Sequence, residues 1–105
     1  MNPSRVDIVW AEAARKVDIV VEIAHDIGVA APPMSTGSTE PRAIFQLVND
    51  RLGLGLDDGL GKPELARGIV ESSGANWHPD YESRGATVTK SGLLAVLEAV
   101  RFFVQ

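Results

Sequence analysis

From Thr89 to Val104 the chain reads TKSGLLAVLEAVRFFV, a segment that is apolar on nearly every side once it is wound into a helix. Leu93, Val96, Leu97, Val100 and Val104 fall on one stripe at helical spacing, and Leu94 widens it. Ala95, Ala99 and Phe102 recur on the opposite side, where only Glu98 and Arg101 carry charge. Such a helix either occupies the centre of a domain or presents one face to a partner. The segment therefore predicts a mainly α fold whose last helix is either central to the domain or, in the alternative, offers Ala95, Ala99 and Phe102 to another protein or a second copy.

The remaining sequence supplies helices that could surround it. At 105 residues, with 45% hydrophobic and 23% charged residues, the chain fits one helical domain spanning 1–105 and not an unfolded polymer. Aromatic residues make up 6%, so aliphatic side chains must fill the core. Val6, Val9, Ala13, Val17, Val20, Ala24 and Ile27 predict a long helix from Ser4, as cap, to a stop at Gly28. Alternation in VDIVVEIA competes with that reading, but the longer period and the neighbouring alanines favour helix.

The Pro- and Gly-containing stretch 28–41 reads as a connector, with Val29 and Met34 as docking points. A helix from Pro41 to Leu52, capped by Ser38 or Thr39, would bury Ile44, Phe45, Val48 and Leu52 and expose Arg42, Gln46, Asn49 and Asp50. GLGLDDGLGKP then forms a turn-rich loop with Leu54, Leu56 and Leu60 inward. The next helix runs from Pro63 to Gly74 on Leu65, Ala66, Ile69 and Val70, supported by a Glu64–Arg67 pair. The predicted fold is a bundle of about four helices, winged-helix-like if residues 85–89 add a short β element.

Few residues support chemistry. The chain has no cysteine, which removes disulfides, thiol nucleophiles and thiolate metal sites and fits a cytoplasmic protein. Charges interrupt the apolar residues from the N-terminus onward, so neither a signal peptide nor a membrane partner is expected. His25 and His78 share no metal-binding spacing. His78 with Asp80 and Glu82 is the least implausible catalytic centre, but sequence proximity does not provide a proton-transfer geometry. Gly61 and Lys62 precede Pro63, which cannot supply the hydroxyl or amide of a phosphate loop. Asp57 and Asp58 lack the ordered ligand positions of a calcium loop. No catalytic residue, metal or cofactor is assigned.

The formal charge of −4 gives no general attraction to nucleic acid, so DNA binding would require a local basic face. ESRGATVTKSG suggests one: Arg84 and Lys90 would neutralise phosphate, while Thr87, Thr89, Ser91 and early helix amides donate to it. Trp77 could stack on a base, although packing between two helices explains it more simply. The blocks STGSTEPRAIFQLVNDRLGL and KPELARGIVESSGANWHPDYESRGATVTKSGLLAVLEAV resemble accessory segments of bacterial restriction endonucleases. That resemblance implies a non-catalytic helical module that positions a DNA-processing protein. VTK at 88–90 lacks the acid of a nuclease E-x-K pair, and the chain lacks a histidine-rich nuclease core. The expected function is thus DNA positioning without cleavage, with protein interaction as the alternative.

Overall fold

The computed structural model describes residues 6–32, 42–57, 59–84 and 87–104. Within them lie α1 (Ile8–Ala13), α2 (Lys16–Asp26), α3 (Arg42–Leu52), α4 (Lys62–Ser72) and α5 (Lys90–Val104). A 3-10 turn at Pro79–Tyr81 leads into an antiparallel hairpin of β1 (Glu82–Ser83) and β2 (Thr87–Val88), with Glu82 opposite Val88 and Ser83 opposite Thr87. This is a compact, mainly α bundle, and the order α3, α4, hairpin gives it a winged-helix-like arrangement. The proposed caps Ser4, Ser38 and Thr39, together with Met34, Pro41 and Asp58, lie outside the described residues.

The apolar last helix is central. α5 packs against α2 on one side and α4 on another, while the 3-10 turn and β2 close over its first turns. Its Leu93, Val96, Leu97 and Val100 are fully buried with Ile19, Val20 and Ile23 of α2 and Leu65 and Ile69 of α4. Each such side chain contributes about 1.5–3 kcal/mol on leaving water, so this layer dominates the fold. α3 adds Ile44, Phe45 and Val48 against α4 and α2. Val104, expected in the stripe, is instead 46% exposed. Arg101 already reaches Asp26, the last residue of α2, so the final turn of α5 has little left to pack upon.

The long first helix is broken in two. Ala14 and Arg15 are extended, with ψ of 143° and 165°, despite an alanine-rich sequence that favours helix. Burial of the Ala14 side chain, and a new helix start in which Asp18 accepts from the Arg15 amide at 2.8 Å, outweigh that preference. The Arg15 backbone bond first, and its side-chain bond second, hold the Asp18 carboxyl below its ordinary pKa. The break also turns α1, so that Val9 is 76% exposed instead of continuing the stripe of Val20 and Ala24. Gly28, at φ 74°, ends α2 as expected, with Val29 N–H bonding to Ala24 and Gly28 N–H to His25.

Asn49 is the main departure in the middle of the chain. Expected to face water, it is 5% exposed, because it lies one helical turn beyond Phe45 on the core side. Its amide donates to the Leu56 carbonyl and accepts from the Leu56 N–H, both at 2.9 Å. One side chain thus satisfies the backbone of the loop as a neighbouring strand would. The Leu56 side chain is thereby laid over Gly68, where a methyl group would come within 2.8 Å of it. Arg67 pairs with Glu71, at 3.3 Å, in place of the expected partner Glu64.

The start of α5 depends on another close approach. A Cβ at Gly92 would lie 2.3 Å from the Tyr81 carbonyl oxygen and 2.6 Å from Val88 Cγ1. Gly92→Ala should therefore destabilise the protein by about 1–3 kcal/mol in chemical denaturation, despite alanine's better helix propensity. A neutral or stabilising result would show that the 3-10 turn yields easily.

Candidate functional site

Three of the residues predicted to meet phosphate make hydrogen bonds within the fold. Thr89 caps α5: its hydroxyl accepts from Gly92 N–H at 3.2 Å and donates to the Asp80 carbonyl at 2.7 Å. Its own N–H bonds to the Tyr81 carbonyl at 2.9 Å. The Thr87 hydroxyl is hydrogen-bonded to that of Ser83 across the hairpin. Lys90 Nζ donates to the Glu12 carbonyl at 3.1 Å, on the end of α1 that presents unsatisfied carbonyls. Arg84 is exposed in the hairpin turn, and Ser91 is exposed on the first turn of α5.

Trp77 serves as a peg for the loop between α4 and the hairpin. It is partly buried against the core, donates from Nε1 to Glu82 at 2.7 Å, and packs edge-on against Tyr81 with ring centres 5.1 Å apart. The Glu82 carboxylate is therefore engaged by the indole. His78 is exposed and tilts against Tyr81 at 5.6 Å. Among the described residues, no group of His, Asp and Glu is arranged to hold a metal ion. No described helix is long and apolar enough to cross a membrane.

The outward face of α5 gathers the other predicted residues. A groove of about 670 Å³ runs beside it, floored by Leu94, Ala95, Ala99 and Phe102 and walled by His78 and Tyr81. Ala99 is buried, Ala95 partly buried and Phe102 45% exposed. A second groove of about 410 Å³ lies on the other side of Ser91, Leu94 and Glu98, between them and Val6, Ile8 and Ala11. These shared residues form a ridge between the two grooves, of which the second is the more apolar. No protein-family model matches the chain, and no curated protein or solved structure shows significant similarity to it.

Sequence reasoning singled out Ala95, Ala99 and Phe102 as candidates but missed the clamp that sets the pose of α5. Arg101 donates to Asp26 at 2.7 Å and to Glu22 at 2.8 Å, with its side chain only 21% exposed. The signal available was weak, an i, i+4 acid pair on α2 and one arginine on an apolar helix. Position 101 lies one residue before Phe102, so the clamp also fixes where that ring emerges. Arg101→Gln should cost about 1–3 kcal/mol of stability in denaturant titration. Adding Asp26→Asn to that variant should cost little more, whereas full additivity would show that the two groups act independently.

Proposed function

We propose that this chain is a non-catalytic protein-interaction module whose outward α5 face receives an amphipathic helix of another protein. The observation that carries the reading is Phe102, 45% exposed beside a groove that is floored by Ala95 and Ala99 and bordered by polar side chains such as Asn76 and His78. Small side chains let a second helix approach closely, and an aromatic residue at the end of the groove offers an anchor. Helix-in-groove recognition uses spaced apolar anchors of this kind.

A fluorescent host peptide with a Leu/Ala helical face and uncharged flanks tests the reading. Saturable binding should weaken at least about tenfold in Phe102→Asp. Val21→Asp should leave binding intact, because Val21 is 47% exposed on α2 and lines neither groove. Equal affinity for wild type and Phe102→Asp, with both proteins folded by circular dichroism, would reject the α5 face.

A second reading, a DNA-positioning module of a restriction or related DNA-processing protein, is favoured by one observation. The hairpin follows α3 and α4 in winged-helix order and carries exposed Arg84 at its turn. Against it, the exposed residues of α4 include Glu64 and Glu71 beside Arg67, a poor surface for a phosphate backbone. Titration with duplex and single-stranded DNA across salt concentrations separates the two. On the DNA reading, Arg84→Ala lowers the salt slope by about one. Absence of binding at low salt excludes it. Lys90 is left intact in this experiment because it also tethers α1.

A further inference from the structure

Of the five described α-helices, α1 is the one that buries none of its residues, and its Ile8 and Val9 are 66% and 76% exposed. Its backbone is bonded largely within its own turns. The Asp7 side chain accepts from Trp10 N–H at 3.0 Å, Ala11 N–H bonds to the Asp7 carbonyl, and Ala14 N–H bonds to the Trp10 carbonyl. The second groove lies between α1 and α5, lined by Ile8, Ala11, Lys90 and Leu94, so the two helices are not closely packed along this flank. α1 is held down by the buried Val6 before it, by the partly buried Trp10 and Ala11, and by Lys90 Nζ, which donates to the Glu12 carbonyl at 3.1 Å.

The break after α1 lets it move without disturbing α2. Ala14 and Arg15 are extended, and the hydrogen bonds that start α2 come from Arg15 onward: Asp18 accepts from the Arg15 amide at 2.8 Å, and the Arg15 carbonyl accepts from Ile19 N–H. Buried Ala14 sits at the hinge and can stay with α2 when α1 leaves. A helix of six residues does not hold its shape alone in water, so a detached α1 would unwind and gain chain entropy. We propose that α1 is a strap that opens about Ala14 and Arg15 while α2 to α5 stay folded, and that Lys90 is its latch. Opening bares the Leu94 side of α5 and frees the Lys90 ammonium from the Glu12 carbonyl. The surface that the bundle offers to a partner thus depends on the state of the strap. This holds for either reading above, since Leu94 lines the α5 face and Lys90 belongs to the residues of the DNA reading.

Native-state hydrogen exchange of the full chain, followed by NMR under increasing denaturant, tests the strap. The Ala11 and Ala14 amides report on α1, and the Ile23 amide reports on α2. Protection of the first two should be at least about tenfold lower than that of Ile23 and should fall less steeply with denaturant, as an opening that exposes little surface requires. Lys90→Met keeps the aliphatic stem and removes the ammonium. It should lower the protection of Ala11 and Ala14 by about threefold to tenfold, the range of one lost hydrogen bond, and leave Ile23 unchanged. Arg51→Gln, which removes a positive charge from an exposed site on α3, should alter none of the three. Equal protection and equal denaturant dependence at Ala11, Ala14 and Ile23 would overturn the strap, because α1 would then open only with the whole bundle. Exchange of Ala11 and Ala14 as fast as in an unstructured peptide would overturn it from the other side, by showing that α1 is not closed. A Lys90→Met effect that is absent, or as large at Ile23 as at Ala11, would overturn the latch.

Discussion

The burial of α5 against α2 and α4 is the constraint on which the other parts of the molecule depend. Leu93, Val96, Leu97 and Val100 can leave water only if helices lie on both flanks, and the buried residues of α2 and α4 provide those surfaces. The polar details then fix the pose and contribute less to the driving force. Thr89 sets where the helix begins, Gly92 lets the 3-10 turn close against it, and Arg101 holds its far end to α2. Together they determine which face remains for solvent.

That face is partly apolar. Leu94, Ala95 and Phe102 meet water or line open grooves, although the same helix buries Leu93, Val96, Leu97 and Val100 on its other side. Lys90, by contrast, points its charge at the end of α1, and Thr89 and Thr87 spend their hydroxyls within the fold. The interaction reading gains from the first set. The phosphate-binding reading keeps Arg84 and Ser91 as its exposed residues, while Lys90 donates to the Glu12 carbonyl.

Much of the helical layout was legible because period and punctuation agree. Leu65, Ala66, Ile69 and Val70 repeat at helical spacing and all are buried, while Gly28 stops α2 at the expected position. The failures share a cause: local identity was read where tertiary contact decides. Alanine propensity across Ala11–Ala14 gave no warning of the break, since the benefit of burying Ala14 belongs to the assembled bundle. Asn49 looked like a solvent residue by polarity, although its position relative to Phe45 placed it on the core stripe. Its real partner, the Leu56 backbone, is a loop that no periodicity describes. For the candidate site, Ala95, Ala99 and Phe102 followed from the helical wheel of one segment. The grooves beside them require the pose of α1 and the 73–81 loop, which a single wheel does not contain.

The pairing of α2 with α5 joins opposite ends of the sequence. Lys90 reaches a carbonyl 78 positions away, and Arg101 reaches acids 75 and 79 positions away, so the two helices lie side by side in the same direction. Chains rich in such distant pairings cross a larger entropic barrier before their contacts reward them. Docking α5 on α2 therefore closes a long loop, and during synthesis Ile19, Val20 and Ile23 lack the α5 side of their packing until that helix leaves the ribosome.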